Sequence, residues 1–495
     1  MSEVIKFDSD GIKRVARAQA VVEATKQVEA DTRVLSVTAT PSVRPSDVFA
    51  GEVRYSGKVI FDCVVLCGGK TEVETVVAEF SDKATSPDIT TGATVGLVPE
   101  VINAEASIDG GTLKAVAVVD TCVYAVTSEE CECIVKPDDD IFCEKKTLTV
   151  SNVVAQPTET VYVSDTVYDV KAAEAVGTVS RAVVMSAECS DGEVKISGAV
   201  YSTVITRTED GMISSVKVVS PFIKMLTSPS INGDCTAYAT ACVSDAVSTL
   251  VTNVDGNNIE LSATVVLSAT VVKTAEISAV TDVFCANSEL SVAEEKISLY
   301  SCEKITTVVD SIDGQVKIEP DRLAADSVCF VSNTFCTVSD SRVENGRVCV
   351  EGLAGGDIIY YNAEKDAVDC IAFRIPFSLP IAHHTECKNV DVIGSVTDVN
   401  VRIRRESVFD IKVETAFTVR AYSCEEASVI KSVKKGAEIT RPKATVTVHI
   451  AKKGETLWQV AKALGCSPES VEKQNQFTAP YSGGERLIHY CGGKK

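Results

Sequence analysis

A seven-residue pattern bounded by glycines occurs three times in this chain of 495 residues: Gly51-Glu-Val-Arg-Tyr-Ser-Gly57, Gly192-Glu-Val-Lys-Ile-Ser-Gly198 and Gly346-Arg-Val-Cys-Val-Glu-Gly352. The spacing is identical in all three. Between the glycines the apolar residues alternate (Val53 with Tyr55, Val194 with Ile196, Val348 with Val350), which is the period of a strand and not of a helix. A second landmark follows each copy: Phe80, then Ser220-Pro221-Phe222, then Ile375-Pro376-Phe377. The first copy departs here, with Glu79 where the others carry proline. Each copy closes on a long alternating segment, at 113–119, 259–265 and 409–419. Self-similarity of this kind fixes architecture before any residue-level reasoning. It predicts a mainly β chain with three sandwich-like or barrel-like units at 30–125, 176–275 and 326–425.

Composition agrees with strands. Hydrophobic residues make up 45% of the chain but aromatics only 5%, so its core must be built from small and β-branched side chains. The intervening segments 126–175 and 276–325 also alternate and hold few turn residues. They are expected to be strands bridging the copies, because long structureless connections are uncommon inside compact domains. Within the N-terminal segment 1–29, the stretch from residue 11 onward fits one short helix reaching residue 30, although Val15, Val22 and Val28 keep strand propensity alive. Lys431, Lys434, Lys435, Gly436, Arg441 and Pro442 make 426–444 a short basic linker before a C-terminal module at 445–490 and a tail at 491–495.

That module has its own local logic. Thr456 with Gln459 three residues on forms a capping-box signature. Leu457, Val460, Ala461 and Leu464 then follow at helical spacing. Gly465 supplies a left-handed stop, and Ser467-Pro468 starts a second short helix as N-cap and first helical residue. Trp458, the single tryptophan, belongs to the apolar stripe and is read as core. Lys453-Gly-Glu-Thr-Leu-Trp458, Ala461, Leu464, Asn475 and Gly484-Glu-Arg-Leu-Ile488 together, in this order, resemble the LysM domain family. The resemblance implies a βααβ fold that binds N-acetylglucosamine-containing glycans or a protein. It places the ligand between the loop holding Gly454, Glu455, Thr456 and Leu457 and the loop holding Asn475, Gln476, Phe477, Thr478 and Ala479. Glu455 stands where aspartate is commoner.

The glycine-strand-glycine element, the Phe landmark and the domain order are similar to the SPOCS domain family. Three such repeats before a LysM are the arrangement of spore coat morphogenetic proteins in clostridial endospore formers. The resemblance implies a non-catalytic scaffold made in the mother-cell cytoplasm and placed at the forespore surface, in the spore coat. Its partners would be other coat proteins and the coat basement-layer ATPase (the stage four A sporulation protein), on which the LysM docks. The alternative is an adaptor whose LysM holds peptidoglycan or other N-acetylglucosamine oligomers.

Charge narrows the partners further. The chain carries −21, yet 441–495 holds nine Lys and Arg against four Glu, a net of +5 that leaves −26 on the rest. An acidic body repels nucleic acid. No leader opens the chain and no apolar run approaches a membrane span, so the nineteen cysteines are expected to stay reduced in cytoplasm. Paired Cys-x-x-Cys knuckles are absent, and Cys131-Glu-Cys133 lacks a second pair, so no metal site and no cofactor is expected. His383-His384-Thr-Glu-Cys387, the nearest cluster, is placed in a loop after Pro380. Glu129-Glu130 and Asp138-Asp139-Asp140 read as solvated turns. No Gly-x-Ser-x-Gly elbow, phosphate loop or His-Glu-x-x-His helix occurs, and nothing singles out one cysteine for a histidine. No enzyme is expected.

Overall fold

The computed structural model describes residues 2–253, 256–303, 305–317, 325–362, 365–404, 408–439 and 446–490. It is mainly β. The first six strands are β1 (Glu3–Gln27), β2 (Arg33–Phe49), β3 (Glu52–Cys67), β4 (Lys70–Thr85), β5 (Val95–Asp109) and β6 (Thr112–Lys136). They form two sheets, ordered β1-β6-β5 and β2-β3-β4. The next set is β7 (Ile141–Ala155), β8 (Thr158–Val167), β9 (Glu174–Ser190), β10 (Glu193–Arg207), β11 (Ile213–Thr227), β12 (Cys235–Asn253) and β13 (Gly256–Cys285). Here β9-β10-β11 make one sheet, while β13 pairs with β12 on one side and with β7 and β8 on the other. The third set is β14 (Ser288–Cys302), β15 (Thr306–Lys317), β16 (Ala325–Glu344), β17 (Arg347–Asn362), β18 (Ala367–His384), β19 (Asn389–Arg404) and β20 (Val408–Glu438). It repeats the plan, with sheet β16-β17-β18 and with β14, β15 and β19 around β20.

The sequence landmarks now have a physical cause. Gly51, Gly192 and Gly346 sit at φ +81°, +82° and +77°, in the tight turns that open β3, β10 and β17, where a side chain would be strained. The second glycine of each pattern lies directly opposite the landmark Phe on the next strand: Gly57 with Phe80, Gly198 with Phe222, Gly352 with Phe377. A Cβ on those glycines would fall 2.8, 2.5 and 2.7 Å from the ring. The ring lies over bare backbone, a cross-strand pairing in which the aromatic covers what glycine leaves open. Proline is incidental, since Glu79-Phe80 makes the same pairing; Pro221 and Pro376 lie on the edge strands β11 and β18, where the missing N–H is harmless.

Each pair of sheets encloses its own core: Val59, Phe61 and Val119 in the first, Val200, Phe222 and Val265 in the second, Phe377, Val413 and Phe417 in the third. The strands expected to bridge the copies are continuous with these sheets. Residues 126–136 complete β6 and pair with the start of β1, and β7 pairs with the end of β13. Beyond these paired sheets, β1 with β6, β7 with β13 and β14 with β20 run on as two-stranded ribbons. The three ribbons share one apolar cluster that includes Cys131, Cys133, Leu148, Val150, Ile297 and Val429.

Two expectations are corrected. Residues 11–27 are strand, not helix, because β1 pairs with β6 along its whole length and buries Val22 and Ala24. A bulge between Arg14 and Ala16 shifts the alternation by one residue, which hides the strand period. The basic stretch is not a tether through residue 438: it is the end of β20, with Lys431 bridged to Glu295 and Lys435 to Asp140. Arg441 and Pro442 lie outside the described residues, as does the tail. Likewise His383 and His384 end β18, with only 385–388 in a loop, and Glu129 and Glu130 lie within β6. Asp139 and Asp140 do occupy a turn.

None of the eighteen described cysteines is joined in a disulfide. Burial pushes the thiols of Cys63 and Cys336 up to about 12 and that of Cys131 to about 11, so they stay protonated and unreactive at neutral pH. Thiol titration of freshly denatured protein is expected to find close to nineteen free groups. A large stability loss on adding reductant would show disulfides instead.

Candidate functional site

The last elements are β21 (Val446–Ile450), α1 (Leu457–Leu464), α2 (Pro468–Gln474) and β22 (Arg486–Tyr490), with β21 and β22 antiparallel. The local chemistry is as the residues dictate. Gln459 N–H donates to Thr456 Oγ1 at 3.2 Å and Thr456 N–H to Gln459 Oε1 at 2.9 Å, closing the capping box. Gly465 stops α1 at φ +66°, and Ser467 caps α2 ahead of Pro468.

The two loops expected to wall a groove do meet. Gly454 N–H donates to Tyr481 O at 2.8 Å, and Tyr481 N–H donates to Glu455 O at 3.1 Å. The candidate residues divide into a frame and a face. Asn475 belongs to the frame: its amide donates to Val471 O and Ile488 O and accepts from Ile488 N–H at 2.7, 2.9 and 2.7 Å, tying α2 to β22. Glu455 belongs there too. It accepts from Lys452 N–H at 2.8 Å and faces His449 Nε2 at 3.0 Å, and these partners, the backbone bond first, hold its carboxyl below the usual range. Leu457 and Ala479 are half-buried against the module core. The remaining face is exposed: Gly454, Thr456, Gln476, Phe477 and Thr478, with Phe477 half open to solvent at 50%.

Trp458 is buried, but its partners come from the body of the protein as well as from the module. Its ring packs on Phe284 at 5.0 Å between centroids, and Phe284 stacks in turn on Phe142 at 5.0 Å. Trp458 Nε1–H donates to Asp282 at 2.8 Å and Lys462 Nζ reaches the same carboxylate at 2.7 Å. Asp282 stands at a bulge in the β7–β13 ribbon, beside the ribbon end that carries the two phenylalanines. The module is therefore docked on that ribbon through one face of α1. Sequence reasoning placed Trp458 in a core but missed this contact.

Burial alone would raise the Asp282 pKa, but the Lys462 and Trp458 donors outweigh it and hold it below the ordinary 3.8. A carboxylate with a depressed pKa stabilises the dock at every pH above its unfolded value and loses that contribution as pH falls through the folded one. Fluorescence of the single tryptophan should thus be flat from neutral pH down to about 4 and change only below it. A transition centred above pH 5 would contradict the contact.

Among the described residues, one set of His, Cys and carboxylate side chains falls within reach of a common ion: Glu29, Asp31 and Cys67, on the surface. Among the described residues no helix is long and apolar enough to cross a membrane. No protein-family model, no curated protein and no solved structure matches this chain.

Proposed function

We propose that this protein is a non-catalytic scaffold of the bacterial endospore coat, built from three SPOCS-like units and a C-terminal LysM whose open face docks on the coat basement-layer ATPase. It would be SipL-like in domain order. The observation that carries this reading is the division of labour in the module. Trp458 and Lys462 are committed to the body, the polar groups of Glu455 and Asn475 are committed to the frame, and the face left free presents an exposed aromatic, Phe477, rather than a row of unpaired polar groups. Aromatic anchors of this kind dominate protein interfaces. A rigidly held module on a body of repeated sheets suits an assembly part that presents one surface at a fixed orientation.

The second reading, a peptidoglycan-binding adaptor, draws on the same ring, because an exposed aromatic beside the free amide of Gln476 also suits a sugar. The two are separated by capture from sporulating cells with the full chain as bait. Recovery of the coat ATPase supports the scaffold, and recovery of wall glycan without it supports the adaptor.

A further inference from the structure

The three sheet pairs surround a cavity of about 1210 Å³, with walls from every one of them. Repeat geometry identifies equivalent positions in it. Three residues beyond the second glycine of each pattern, the register pairs Ile60 with Thr40, Tyr201 with Arg181 and Gly355 with Phe335. Thr40, Arg181 and Phe335 all line the cavity. The fold therefore accepts a hydroxyl, a cation or an aromatic ring at this position, and nothing in the architecture requires arginine.

Arg181 is nonetheless a half-buried charge on the cavity wall, and desolvation depresses its proton affinity. Its guanidinium donates to Thr334 O at 2.7 Å and Val396 O at 3.2 Å, both in the third repeat. Those bonds fix the fork without neutralising it. Among the described residues no carboxylate stands within ion-pair distance of it. Of the other cations on the wall, Arg17 pairs with Asp120 at 2.8 Å and Lys217 with Asp398 at 2.5 Å. Glu100, which lines the wall together with Asp398 and Glu414, has its pKa raised by burial. A partly desolvated ion without a counter-ion is costly, and a guanidinium has five donors, well suited to a planar or tetrahedral oxyanion.

We infer that this cavity is a binding site for a small oxyanion-bearing molecule, a carboxylate or a phosphate, held by Arg181 between the second and third repeats. This is independent of the reading of the C-terminal module. Site occupancy would link the repeats, since the anion would join a β9 side chain already bonded to β16 and β19.

The test uses the full chain, with inorganic phosphate and citrate as probes and sodium chloride at matched ionic strength as control. Calorimetry is expected to show saturable binding of at least one probe, and Arg181→Met to weaken it tenfold or more. Phosphate alone or citrate alone identifies the headgroup. The absence of saturable binding for both, or equal affinity in the variant, overturns the proposal. Should Arg181→Met fail to fold, the wild type still decides: the cavity-lining, half-buried thiols Cys122 and Cys242 should label more slowly with maleimide when the binding probe is present, by site-resolved mass spectrometry. Unchanged labelling at saturating probe would count against it.

Discussion

Gly352→Ala is expected to destabilise the sheet β16-β17-β18 by about 3 kcal/mol, the upper end of what overpacking a well-filled site costs. The added methyl would lie 2.2 Å from Thr337 O and 2.7 Å from the Phe377 ring. Phe377 could turn aside, but Thr337 O belongs to the β16–β17 pairing, so relief requires unpairing a ladder. The control is Gly51→Ala, where nothing lies within 4 Å and only the left-handed φ is offended, at about 1 kcal/mol. Denaturant midpoints of the two variants should differ accordingly. Equal losses would mean that Phe377 and its counterparts do not cover these glycines. Phe377→Ala and Gly352→Ala should also fail to add, since they disturb one contact.

The second large effect is at the dock. Phe284→Ala removes the ring between Trp458 and Phe142 and should cost about 3 kcal/mol, as for other buried aromatics. It leaves the module's own core of Val460, Ala461, Leu464, Val471 and Leu487 in place. Hydrogen exchange of the α1 amides should accelerate by roughly a hundredfold if the dock limits their opening. Trp458→Ala should do at least as much damage, because it also deprives Asp282 of its indole donor. Unchanged α1 exchange in Phe284→Ala would show that the module stands without the ribbon.

What was legible in the sequence was local. The alternation inside Gly51–Gly57 and its copies gave strands, and Thr456 and Gly465 marked both ends of α1 and Ser467 the start of α2, because those signals act within a few residues. Where partners are distant, the residues were misread. The lysines of 431–435 looked like a solvated linker because Glu295 and Asp140 are remote in sequence. Trp458 looked like ordinary core because Asp282 lies 176 residues away. The Phe landmarks were visible, yet their pairing with the glycines depended on register, which a list of positions does not contain. β1 failed for a different reason: one bulge moved its alternation out of phase, and a broken period of two imitates a helical stripe.

The central claim is that the open face of the docked module reads a protein. The most direct measurement is the affinity of the full chain and of its Phe477→Glu variant for the purified coat ATPase, alongside pelleting with purified peptidoglycan. Phe477 is exposed, so circular dichroism and the Trp458 signal should be unchanged in the variant. The predicted result is a loss of about 2 kcal/mol or more in ATPase binding, roughly thirtyfold, with peptidoglycan pelleting unaltered. A folded variant that binds the ATPase as the wild type does but no longer pellets with peptidoglycan would contradict the account, because the face would then be reading sugar.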